Sequence, residues 1–131
     1  MPYDKINRES IDVLVREFYT QILNDEILRP FFVQSLGADI TKGKWPEHFD
    51  ILNKFWGLMM TGERAYMNNP FPAHAFLGLV SREPFERWLK LFKEVTEELF
   101  VPTLAQKFYK KADILAEQFI ANLSIDEEDD D

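Results

Sequence analysis

His48 and His74 are the only two histidines among 131 residues, and there is no cysteine. Without thiols the chain has no structural disulfide, zinc–thiolate site, iron–sulfur cluster or thiol catalysis. His48 lies in line with Leu52 and Trp56 on the apolar side of a helical pattern. His74 ends the stretch Asn68-Asn69-Pro70-Phe71-Pro72-Ala73-His74 and is flanked by Phe71, Phe76 and Leu77. A histidine on an apolar face is ordinarily a satisfied core or boundary residue, so either one also has a purely structural reading. Tyr19 and Trp88 stand at inward helix positions; tyrosine offers a hydroxyl, and the indole N–H is a donor only. Each of these, too, is more commonly plain core.

Haem makes physical demands that fit these residues together. It is a large apolar disc that needs a slot between helices, aromatic and aliphatic walls, and one neutral imidazole reaching the iron. Its other face needs a few donors for a polarised diatomic ligand, a role open to Tyr19, His48 and Trp88. Aromatic residues make up 15% of the chain, with 12 phenylalanines, which suits either a ligand-built core or simply large core side chains. Other chemistries lack support. There is no glycine-rich phosphate loop and no His-x-x-x-His or HExxH pattern, and no nucleophile-elbow context accompanies a serine. Glu97 and Glu98 fall on polar helix faces and read as solvated.

The elements that must position these side chains are helical almost throughout. Asn7 is a plausible cap for a helix carrying Ile11, Leu14, Val15, Phe18 and Ile22 and ending near Asn24. Pro30 is expected to mark a short turn before Phe31 and Phe32, with residues 34–43 as a loop. Trp45 opens the next helix, Pro46 sits in its first turn, and His48, Leu52, Phe55, Trp56, Met59 and Met60 form its apolar face up to Gly62. The proline-broken segment leaves room for a short helix from His74 to Leu79 at most. Ser81 is a candidate cap for a helix bearing Phe85, Trp88, Leu89, Phe92, Val95 and Leu99. Pro102 starts the last helix, whose expected buried stripe is Leu104, Phe108, Ala112, Leu115, Phe119 and Leu123. No segment alternates with period two, so the fold class is all-α.

The size is that of one domain. The net charge is −8, but Asp126 to Asp131 are all acidic, so the other 125 residues carry 17 acidic against 15 basic groups, a net of −2. The expected organisation is a folded body over 1–125 and an acidic, disordered tail over 126–131. An acidic balance argues against nucleic acid as a partner. No signal-like or membrane-length apolar run is present, so a cytoplasmic protein without membrane contact is expected.

Taken in order, several pieces resemble one family. They are Ile6-Asn7, Ser10-Ile11, Phe18-Tyr19, Asp25, Leu28, Pro30 and Phe32, then Trp45-Pro46-Glu47-His48 with Phe55-Trp56. The set continues through Gly62, Tyr66, Pro70 and His74, and closes on Phe85-Glu86-Arg87-Trp88-Leu89-Lys90-Leu91-Phe92. From about Ile6 to Leu123 the chain resembles the group III truncated haemoglobins of bacteria. The resemblance implies a two-over-two helical sandwich around haem b, with His74 as the proximal iron ligand. Phe32, Leu52, Trp56 and Tyr66 would line the cofactor, with Phe32 stacking on it and Leu52 packing over it. Tyr19, His48 and Trp88 would face the ligand. One departure is Asn68, where the family often has glycine two residues after the hinge tyrosine; asparagine is the next most tolerant of positive φ.

The function implied is binding of oxygen, carbon monoxide, nitric oxide or similar small ligands. Three polar distal groups would hold oxygen strongly and slow its release, which suits nitric oxide dioxygenation, peroxidase-like turnover or sensing better than delivery. Such turnover would need a separate reductase, since no flavin or nicotinamide domain is fused. A monomer is expected. The alternative from another class is a haem-free helical module that binds a partner protein.

Overall fold

The computed structural model describes residues 2–61 and 82–122. Among them are five helices: α1 (Arg8–Leu23), α2 (Arg29–Leu36), α3 (Trp45–Thr61), α4 (Arg82–Leu99) and α5 (Pro102–Asn122). The expected caps at Gly62 and Ser81, the proline-broken segment with Tyr66 and His74, and the acidic tail lie outside the described residues.

Helix α1 begins where the sequence places it. The Asn7 side chain accepts the Ser10 N–H at 2.9 Å, and the Ser10 hydroxyl accepts the Asn7 N–H at 3.0 Å. This reciprocal box satisfies two backbone donors that no helical carbonyl can reach. Beyond the cap, Ile11, Leu14, Val15, Phe18 and Ile22 recur three and four apart and are buried, forming one stripe that faces the core.

Pro30 opens a helix instead of marking a turn. A proline in the first turn lacks only an N–H that would be unpaired there in any case, and its fixed φ suits the helix. The carboxylate of Asp25 prepares this start by accepting the N–H groups of Ile27 (3.1 Å) and Leu28 (3.0 Å). Helix α2 therefore runs on to Leu36, into the region expected to be loop. It stops at Gly37, whose φ of 95° is open to glycine at little steric cost. The Gly37 carbonyl accepts the Trp45 indole N–H at 2.9 Å, which ties the end of α2 to the start of α3.

In α5 the buried stripe is Ala105, Phe108, Ala112, Ala116 and Ile120, and the expected Leu104 and Leu115 are only half-buried. Small alanines at the contact let α4 and α5 approach closely, so the larger leucines move to the flank. The Phe119 side chain and Leu123 lie outside the described residues. The N-terminal strand-like residue Tyr3 is pinned at the α4–α5 corner by two backbone bonds, its N–H to the Leu99 carbonyl (2.7 Å) and the Val101 N–H to its carbonyl (2.9 Å).

Helix α1 packs on α3, α4 packs on α5, and α1 bridges the pairs through α4. This two-plus-two arrangement is the sandwich that the family resemblance implies. Its centre is aromatic: Phe18 presents its edge to Trp88 at 4.8 Å and to Phe92 at 5.1 Å between centroids. No helix among the described residues is long and apolar enough to cross a membrane.

Candidate ligand-binding site

Helical spacing aims one polar side chain from each of three helices at a common point. In α1, Tyr19 follows Phe18 at the end of the buried stripe. In α3, His48, Leu52 and Trp56 are each four residues apart, so they share one face. In α4, Trp88 comes three residues after Phe85 and four before Phe92, on the helix's buried face. All of these side chains are at most 3% exposed.

Three of the expected ligand-facing groups meet. The Tyr19 and His48 rings stand edge to face with centroids 4.9 Å apart. Tyr19 shares a side-chain hydrogen bond with Trp88. Because indole nitrogen only donates, the Trp88 N–H gives this bond and the Tyr19 oxygen accepts it. The Tyr19 hydroxyl proton remains available to a third group. Burial drives the Tyr19 phenol far above the ordinary tyrosine range, and the Trp88 bond offsets only part of that rise. Tyr19 is thus a neutral O–H donor at any physiological pH.

The walls are apolar. Phe32 lies 5.6 Å from Tyr19 between centroids, Trp45 lies 5.3 Å from His48, and Leu52 sits one turn beyond His48. Trp56 stacks on Phe92 at 5.4 Å, with Phe92 also stacked on Trp88. Of the expected site residues, Tyr19, His48, Trp88, Phe32, Leu52 and Trp56 are therefore in the buried interior, while His74 and Tyr66 lie outside the described residues. A buried set of polar side chains inside an aromatic wall fits an apolar, flat cofactor on one side and a small polarised ligand on the other.

Two features of the site's frame were not evident as a pair from sequence. Asp25 is nearly fully buried, and its Oδ1 accepts Nε and Nη2 of Arg87, each at 2.6 Å. Burial alone would raise this carboxyl, but the Arg87 hydrogen bond, the Leu28 and Ile27 N–H groups and the guanidinium charge outweigh it and hold it below the usual range. The pair clamps the α1–α2 corner to α4 one residue before Trp88. A partial signal was available: an Asp accepting backbone N–H groups two and three residues ahead of it is a common turn pattern, here in the turn that leads into α2. Phe92, the plate between two tryptophans, carried no signal beyond its place on an apolar face.

The chain matches no family model. It is 32% identical over 119 residues to a group 3 truncated haemoglobin of Campylobacter jejuni, spanning 91% of this chain and 92% of the relative. The crystal structure of a group III truncated haemoglobin from Campylobacter jejuni superposes with a TM-score of 0.81 at 32% identity, covering 94% of this chain and 95% of that one.

Proposed function

The chain belongs to the group III truncated haemoglobins, and from that membership we propose that it binds haem and holds oxygen and other diatomic ligands at the iron. The convergence of Tyr19, His48 and Trp88, from three helices, into one buried polar cluster carries this reading. With no cysteine for covalent attachment, the cofactor would be haem b. His74 would be the axial ligand, and Phe32, Leu52, Trp56 and Tyr66 would contact the ring. When bound, haem would supply an iron atom able to hold a diatomic ligand and to exchange electrons.

The chain's own residues then set what becomes of the ligand. Tyr19 would offer its O–H to the negative end of a polarised ligand, and Trp88 would hold the Tyr19 oxygen so that this proton points away from itself. His48, packed on Tyr19 and Trp45, would close the polar side of the pocket. The aromatic wall excludes water and so strengthens each hydrogen bond. Tight retention of oxygen favours redox turnover, nitric oxide dioxygenation or peroxidase-like reduction, over delivery. A cytoplasmic monomer served by a separate reductase is the simplest setting for such chemistry.

The test is retention of haem. His74→Ala should be purified largely without haem, while His48→Ala should keep it. A His74 variant with a normal haem spectrum would overturn the axial assignment, and a wild-type protein that is colourless and takes up no added haem would return the chain to the partner-binding module.

A further inference from the structure

The core holds an unbroken run of aromatic rings from the proposed ligand site to the surface. Trp88 stacks on Phe92 at 5.2 Å and 13°, and Phe92 stacks on Trp56 at 5.4 Å and 18°. Trp56 meets Phe108 at 5.7 Å, Phe108 meets Phe100 at 4.8 Å, and Phe100 meets Tyr3 at 5.7 Å. The inner five rings are buried, and Tyr3 is half exposed. Each step is an ordinary aromatic contact; the continuity is what matters. Electron transfer weakens exponentially with distance, and easily oxidised tryptophan and tyrosine rings divide a long path into short ones.

We propose that Trp88, Trp56 and Tyr3, coupled through the intervening phenylalanines, relay oxidising equivalents from the ligand site to Tyr3, where a small one-electron donor such as a phenol or an enediol is oxidised. The inference rests on the peroxidase-like form of the proposed function, with hydrogen peroxide as the oxidant. Reduction of one peroxide to two waters takes up two electrons and two protons. Tyr3 gives one electron inward through the stack and its phenolic proton to solvent, becoming a neutral tyrosyl radical. The donor returns one hydrogen atom to Tyr3, and a second passage completes the peroxide's reduction.

Tyr3 is a better terminus than Tyr109, the other half-exposed tyrosine described. Tyr109 has both the Lys93 ammonium, 5.9 Å from its ring centroid, and the Asp113 carboxylate acting on it, so charge does not choose between the two; the ring contact does, since Tyr3 meets Phe100 at the end of the stack at 5.7 Å. Tyr3 is also fixed by backbone bonds on both sides, to Leu99 and Val101, so its ring is held against Phe100.

The experiment mixes haem-loaded protein with hydrogen peroxide and follows three readouts: the haem absorption change, freeze-quenched electron paramagnetic resonance, and dityrosine-linked dimers mapped to tryptic peptides. In wild type the tyrosyl signal and the cross-link should map to Tyr3. Tyr3→Phe should lose both without altering the absorption change, and Tyr109→Phe should retain both. Phe100→Leu, checked for folding by circular dichroism, should weaken the signal with the absorption change intact. A signal that persists in Tyr3→Phe, or a cross-link mapping to Tyr109 or Tyr66, overturns the relay and leaves the redox reading standing. Absence of any absorption response to peroxide overturns both.

Discussion

At the level of single residues, the arrangement of Tyr19 and Trp88 makes a sharper expectation than two independent donors would. Trp88 donates to the Tyr19 oxygen, so its contribution passes at least partly through Tyr19. A buried hydrogen bond to a polarised ligand is worth roughly 1–3 kcal/mol. Tyr19→Phe should then speed oxygen release by about tenfold to a hundredfold at about 1.4 kcal/mol per decade. Trp88→Phe should do so by a similar or smaller factor, and the double variant should show less than the product, because the two side chains share one network. Carbon monoxide is much less polarised, so its release should change less. Stopped-flow release of both gases from the three variants measures this. Equal changes for the two gases would mean that the pocket has merely opened, and strictly multiplicative effects would mean that Trp88 acts independently of Tyr19.

At the level of elements, much of the frame was legible because caps and spacing are local. Asn7 and Ser10 define the start of α1 in four residues, and the four-residue spacing of His48, Leu52 and Trp56 fixes which face of α3 turns inward. Local rules failed where a choice depended on a neighbour. Pro30 reads locally as a turn, whereas in the fold the preceding turn is held by the Asp25 carboxylate, itself bound by Arg87 from α4, and Pro30 opens a helix. The shift of the α5 stripe from Leu104 and Leu115 to the alanines depends on how close α4 comes, which no window of sequence contains. The site was legible as a set of residue types; that Trp88 serves Tyr19 and that Phe92 joins two tryptophans follow from tertiary packing alone. The Asp25–Arg87 clamp carries its own prediction. Asp25→Asn keeps an acceptor for the Ile27 and Leu28 N–H groups but loses the charge-assisted bonds, costing about 1–2 kcal/mol after allowance for the one-third exposure of Arg87. The Asp25 pKa is lowered in the fold, so its stabilisation is present in full above the unfolded carboxyl value near 4 and is lost as pH falls through the lower folded value. Chemical denaturation of both proteins should show a constant gap between about pH 7 and 5 that closes as the pH falls below about 4. A gap that persists in acid would remove the ion pair as its cause.

At the level of the whole molecule, charge and fold are separately distributed. The chain's −8 is concentrated in Asp126–Asp131, and the other 125 residues are close to neutral. Among the described residues, the aromatic core around the proposed site is built from helices of which the last ends at Asn122. Six consecutive acidic side chains have no apolar surface to bury, and bringing them against a body that is itself slightly negative gains little from attraction. We therefore expect truncation after Ile125 to leave the haem spectrum, haem affinity and thermal midpoint nearly unchanged. What should change is the long-range field: losing six negative charges should alter association with a charged redox partner, and the difference should fade as salt rises, since exposed charges are screened over about 8 Å at physiological ionic strength. Reduction rates of full-length and truncated protein by an anionic and a cationic one-electron donor, each at low and high salt, measure this. The truncated form should gain with the anionic donor, lose with the cationic one, and match the full chain at high salt. A large drop in haem affinity or thermal stability on truncation would show instead that the tail packs on the body, and a salt-independent rate difference would show that it acts by contact and not by its field.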